Sequence, residues 1–206
     1  MNNLLFLASK SQSRQKLLEE SKIQFRLIEQ NLDESKFDFS LPLKKIVETI
    51  ATQKMDHVIL PQSNKENDFC YVLTADTIGE NSKGEIHGKA IDKADSIQKI
   101  KSYRNGAVTG TAICMEKRIF KAANWITEKR IIRYAQASYI FDVPDNLIEW
   151  YLENGFKDQS YLDVSGAVQI EGLGAQFLKN ISGSYSAVLG LPLYELRKSL
   201  QELGFY

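Results

Sequence analysis

The chain has 206 residues, with 26 lysines and arginines against 26 aspartates and glutamates, so its formal net charge is zero. That balance argues against a broad basic surface for a nucleic-acid polymer or an anionic membrane, and any anionic partner must be met by a local cluster of charge. A chain of this length has enough core to fold without a disulfide or a structural metal.

Leu4–Ala8 reads as a short buried strand. No basic leader or cleavage site precedes it, and no apolar run approaches the roughly 18 residues of a membrane span, so neither export nor membrane insertion is expected. Cys70 and Cys114 lack metal-ligand spacing, which fits a reduced, cytoplasmic setting. The polar stretch Ser9-Lys10-Ser11-Gln12-Ser13-Arg14 then leads into a helix carrying Leu17 and Leu18. Ser11 suits the N-cap, so free backbone N–H groups beside Lys10 and Arg14 would form an anion site; an ordinary capped turn gives the same pattern.

Leu43–Val58 carries apolar residues at 43, 46, 47, 50, 51, 55 and 58, the period of an amphipathic helix. Lys54 falls in the middle of that stripe. Either it snorkels from the helix end, or its ammonium points into a ligand cleft. Pro61–Asp68 is polar and breaker-rich, an exposed loop. The apolar run Tyr71–Thr77 ends in an ionisable group, Asp76, which places a carboxylate where a sheet meets a cleft.

Asn81–Gly84 supplies turn chemistry, and Asp92 with Asp95 opens a helix through Ala94, Ile97 and Ile100, so Gly88-Lys89 lies on the connection into it. Ala107–Met115 and Arg130–Val143 read as long strands separated by an irregular Glu116–Thr127. Asp145–Glu153 is a short helix stopped by Gly155. The three glycines between Gly166 and Gly174 suit a tight path near a ligand, or a plain loop. A last helix from Leu193 to Leu203 ends at Gly204.

Neither G-x-x-x-x-G-K-[ST] nor G-x-G-x-x-G is present. His57 and His87, both expected on the surface or in loops, cannot form a histidine metal cluster and do not suggest a Ser-His-Asp triad. Chemistry must rest on carboxylates, lysines and an arginine.

Taken in order, Leu7-Ala8-Ser9-x-Ser11-x-x-Arg14-x-x-Leu17-Leu18, Asp33-Glu34, Ala51-x-x-Lys54, Ala75-Asp76-Thr77, Gly88-Lys89, Thr109-Gly110, Glu171-Gly172-x-Gly174 and Gly190-Leu191-Pro192-Leu193 resemble the Maf family of nucleoside triphosphate pyrophosphatases. The resemblance implies a single Maf-like domain over residues 1–206. Its fold would be mixed α/β (α+β), similar to inosine-triphosphate pyrophosphatase, with two lobes around a central cleft, a long twisted mixed sheet, and often a homodimer. It implies hydrolysis of a nucleoside triphosphate between its α- and β-phosphates with Mg²⁺ or Mn²⁺. Asp76, Glu34 and Lys89 would be catalytic, with Asp76 and Glu34 at the metal. Ser9, Ser11, Arg14, Lys54 and Glu171 would bind substrate.

Three departures stand out. Gln12 and Ser13 replace the proline and first arginine of the family's Ser-Pro-Arg-Arg, and Ala90 replaces the usual proline after Gly-Lys. Lys10 could stand in as a point charge without bidentate geometry. Glu171-Gly172 is similar to the branch acting on 7-methylguanosine triphosphate, since a carboxylate can accept from both N1–H and N2–H of a guanine. Ala75-Asp76-Thr77 is instead similar to the branch acting on dTTP and UTP. The sequence favours 7-methyl-GTP, with dTTP or UTP second; a nucleotide-binding regulator of cell division that has lost catalysis is the alternative.

Overall fold

The computed structural model describes residues 3–33, 37–156 and 160–206. The chain runs β1 (Leu5–Leu7), α1 (Gln12–Glu20), β2 (Phe25–Leu27), β3 (Glu29–Gln30), α2 (Leu43–Asp56), β4 (Val58–Ile59), β5 (Phe69–Asn81) and β6 (Ile86–His87). It continues through α3 (Lys93–Ser102), β7 (Ala107–Lys121), β8 (Asn124–Phe141), α4 (Ile148–Asn154), β9 (Leu178–Gly183), α5 (Tyr185–Val188) and α6 (Leu193–Glu202). A mixed seven-stranded sheet organises these elements in the order β2-β1-β5-β7-β8-β9, with β6 paired on β5. β1 is parallel to both β2 and β5, while β5, β7, β8 and β9 run antiparallel.

The period of two along β5 decides what each helix covers. Tyr71, Leu73 and Ala75 join Ile113 and Met115 of β7 against Leu17 and Leu18 of α1 and Leu196, Leu200 and Leu203 at α6. Cys70, Val72 and Ile78 face the other way, with Ala112 and Cys114, against Ile46, Val47, Ile50, Ala51 and Met55 of α2. Burial pushes both thiols up to about 12, which makes these cysteines inert core residues. A third apolar cluster, with Ile100, Tyr103, Tyr139, Phe141, Tyr151 and Phe177, forms a second lobe around α3, α4 and the ends of the long strands. No helix among the described residues is long and apolar enough to cross a membrane.

The strands are longer than their apolar runs. β5 continues past Thr77 to Asn81, so Asp76 lies within a strand rather than at its end. The Glu116–Thr127 tract, expected to be irregular, is instead the close of the β7–β8 hairpin. Its turn residues Ala122 and Ala123 have φ of 48° and 63°. A two-residue hairpin turn of that kind normally carries Asn-Gly, so two alanines hid it. The charged residues of the tract are also absorbed by the fold. Glu116 is fully buried and is held by Arg118, Arg130 and the Thr127 hydroxyl beside a register shift at Lys117/Arg118.

Gly174 owes its identity to packing, because a Cβ there would sit 1.7 Å from the Gln169 carbonyl oxygen. The loop's own path, rather than a ligand, requires this glycine.

Left-handed backbone strains an alanine by roughly 1 kcal/mol. The double substitution Ala122→Asn, Ala123→Gly is therefore expected to stabilise the protein by about 1 kcal/mol and raise its thermal midpoint by roughly 2–4 °C. Calorimetry of the variant checks this, and an unchanged or lower midpoint would show that the turn carries no such strain.

Candidate active site

The β1–α1 turn, with Ser9, Lys10 and Ser11, and the first turn of α1, with Gln12, Ser13 and Arg14, line a cleft of about 1020 Å³. Ser11 caps α1 as expected, its side chain accepting from the Arg14 N–H at 3.4 Å. Arg14 is nearly buried, and its guanidinium is fixed on three sides. Nε donates to the Gly190 carbonyl at 2.8 Å, Nη1 to Ser9 Oγ at 2.9 Å and Nη2 to Thr77 Oγ1 at 3.0 Å. Ser9 Oγ also accepts from the Ser11 N–H at 3.3 Å, so its own proton remains available to donate toward an anion. Gln12 and Ser13, two of the three departures, line the cleft together with Lys10; Ala90 is not among the lining residues.

Lys54 does not snorkel. Its ammonium donates to Asp76 Oδ1 at 2.8 Å, with both side chains about 10% exposed, so the lysine on the apolar stripe of α2 points into the cleft. Asp76 Oδ2 is buried and has no hydrogen-bond partner among the described residues. Thr74, two residues earlier on the same face, donates to the Ala51 carbonyl at 2.7 Å and clamps β5 to α2 one turn before Lys54.

Lys89 reaches the cleft from the other lobe. Its backbone bridges to Ser165 and its exposed ammonium lies 3.5 Å from Asp163, a residue that no sequence signal marked. Thr109 and Tyr139 also line the cleft and are hydrogen-bonded to each other at 2.9 Å.

Two expected site residues fare differently. Glu34 lies outside the described residues. Glu171 is not among the residues lining the cleft. It is half-buried at the start of the Gly172–Phe177 turn, and burial raises its carboxyl above the usual range, opposed by its own backbone amide and by Lys16 of α1. The left-handed Gly172 that follows, φ 58°, carries the chain into that turn against the second lobe's core.

A buried carboxylate oxygen without a partner is costly unless something binds it. Asp76 Oδ2 therefore fits one ligand position of a hard divalent cation. No group of three or more His, Cys, Asp or Glu side chains that could hold a metal ion occurs among the described residues.

The family described as Maf-like protein matches residues 4–203. A protein of Fusobacterium nucleatum subsp. nucleatum named dTTP/UTP pyrophosphatase is 30% identical over 203 residues, covering 98% of this chain and 96% of its own. One of the same name from Caldicellulosiruptor bescii is 31% identical over 205 residues, covering 98% and 95%. A protein of Prochlorococcus marinus named nucleoside triphosphate pyrophosphatase is 28% identical over 211 residues, covering 98% of each chain.

Removing one partner of a desolvated ion pair leaves the other charge uncompensated. Lys54→Met is expected to cost about 3 kcal/mol of stability, read as a lower urea midpoint with unchanged slope. The double variant Lys54→Met, Asp76→Asn should recover most of that loss, and failure to recover would assign the cost to packing rather than to charge.

Proposed function

The chain belongs to the Maf-like family, and on that premise we propose that it is a nucleoside triphosphate pyrophosphatase, cleaving dTTP or UTP to the monophosphate and pyrophosphate. The observation that carries the reading is the meeting of Arg14, Lys54, Asp76 and Lys89, from four separate elements, in one cleft. Three cations beside a helix N-terminus suit a triphosphate, and one carboxylate among them suits the activation of water.

In this reading Arg14, with Ser9 and Ser11 at the start of α1, binds the phosphate chain, and Lys89 closes on it from the second lobe. Fixed donors of this sort act most strongly where negative charge develops on the phosphoryl oxygens. Lys54 holds Asp76 by Oδ1, which leaves Oδ2 to accept the proton of the attacking water or to bind the cation. Glu34 is proposed as the second carboxylate. A bound Mg²⁺ or Mn²⁺ would neutralise phosphate charge and orient the leaving pyrophosphate.

The pyrimidine preference rests on two supports: relatives named for dTTP and UTP, and the position of Glu171 away from the cleft lining. The carboxylate that suggested 7-methylguanine is therefore not proposed to read the base.

Pyrophosphate release from dTTP, UTP and 7-methyl-GTP with Mg²⁺ or Mn²⁺ tests the proposal. The first two are expected to exceed the third by at least tenfold in kcat/KM, and Asp76→Asn should lower kcat by roughly 10²–10⁴-fold. Native turnover by Asp76→Asn would end the mechanism; preference for 7-methyl-GTP would end the base assignment; binding without turnover would make the chain a regulator.

A further inference from the structure

Hydroxyl groups carry a single proton, and that fact orders a chain of hydrogen bonds behind Arg14. Thr111 Oγ1 lies 2.7 Å from the Ala187 carbonyl oxygen, which can only accept, so the Thr111 proton is spent there. Thr77 Oγ1 lies 2.9 Å from Thr111 Oγ1. Thr111 has no proton left to give, so Thr77 must donate to it. Arg14 Nη2, which can only donate, lies 3.0 Å from Thr77 Oγ1. The direction is thus fixed throughout: Arg14 to Thr77, Thr77 to Thr111, Thr111 to the backbone of α5.

We propose that Thr77 is a positioning residue for the phosphate-binding arginine, with Thr111 and the Ala187 carbonyl setting the direction in which its hydroxyl points. Thr77 lines the cleft, yet its proton is committed to Thr111, so it acts on substrate through Arg14 rather than as a donor to phosphate. The segment following β9 completes the arrangement. Ala187 O also accepts from the Gly190 N–H at 3.0 Å, and Gly190 O receives Arg14 Nε. Gly190 has φ 99°, a left-handed conformation that favours glycine, and in it the Gly190 carbonyl faces Arg14 Nε. One rung of the β5–β7 ladder supplies both threonines, Thr77 opposite Thr111. A guanidinium held on three sides has little side-chain freedom left to lose when an anion binds.

The inference rests on the pyrophosphatase reading, and its test uses one measurement that needs no turnover. Calorimetric binding of inorganic pyrophosphate with Mg²⁺ and kcat/KM for dTTP are measured for Thr77→Val, Thr77→Ser, Arg14→Lys and the double variant Arg14→Lys, Thr77→Val. Thr77→Val, nearly isosteric but without the hydroxyl, is expected to weaken both quantities about tenfold while the thermal midpoint moves little. Thr77→Ser should stay within about twofold of the native protein. Lysine keeps a charge without the fork, so in the Arg14→Lys background removal of the Thr77 hydroxyl should add less than twofold. Equal losses in the two backgrounds would mean that Thr77 touches phosphate itself, and an inert Thr77→Val or a native chain that does not bind pyrophosphate would likewise overturn the proposal. Thr77-dependent pyrophosphate binding without hydrolysis of any nucleotide would uphold the positioning role and reject the enzymatic reading.

Discussion

The ion pair between Lys54 and Asp76 is the constraint around which the rest of the molecule is arranged. Desolvating two charges costs several kcal/mol per ion unless each is well partnered, and here one oxygen of the carboxylate has no partner among the described residues. Apolar packing offsets that cost. α2 lays Ile46, Val47, Ile50, Ala51 and Met55 on the sheet, and the Thr74 hydroxyl ties β5 to the Ala51 carbonyl. These contacts fix the helix and strand on either side of the pair, so the ammonium and the carboxylate meet without either backbone being free to withdraw.

Asp76 and Thr77 show how one strand serves two sides of a site. Adjacent residues of a strand point to opposite faces. Asp76 shares the face of Val72 and Ile78 and meets Lys54 from α2; Thr77 shares the face of Leu73 and Ala75 and meets Arg14 from α1. Both nevertheless line one cleft, so the cleft straddles β5. Ala112 stands opposite Asp76 and Thr111 opposite Thr77 in the neighbouring strand. The small residue lies beside the carboxylate whose Oδ2 has no partner among the described residues, and the hydroxyl of Thr111 lies within hydrogen-bond distance of Thr77.

Much of this was legible before any coordinates. Lys54 breaks the apolar stripe of its own helix, and the structure turns it into the cleft against Asp76. Arg14 and Lys89 were located by local motifs, because a helix start and a strand-to-helix connection are short-range features. The sheet's length was not legible, since hydropathy reads the charged tract around Glu116 as loop while the fold buries that carboxylate between two arginines. The hairpin turn was hidden because its residues are alanines. Gly190 as an acceptor for Arg14, 176 residues away in sequence, leaves no local trace. Glu171 shows the same limit: its neighbours in sequence suggest a base-reading loop, whereas the charges nearest it in space are Lys16 and Glu20 of α1.

The two lysines of the cleft divide the electrostatic work between them. Lys54 is about 10% exposed and bound to a carboxylate that is equally shielded; Lys89 and its partner Asp163 are both about 65% exposed at 3.5 Å. An exposed pair of that kind is worth about 0–1 kcal/mol, so a polyanion can take the Lys89 ammonium from Asp163 at little cost. Nothing comparable holds for Lys54, whose departure would leave Asp76 uncompensated. The first lobe therefore carries the fixed charge and the second lobe an exchangeable one, tethered through the backbone bridge between Lys89 and Ser165. In the proposed function, that asymmetry would let a phosphate chain be captured across the cleft while the carboxylate stays anchored to α2.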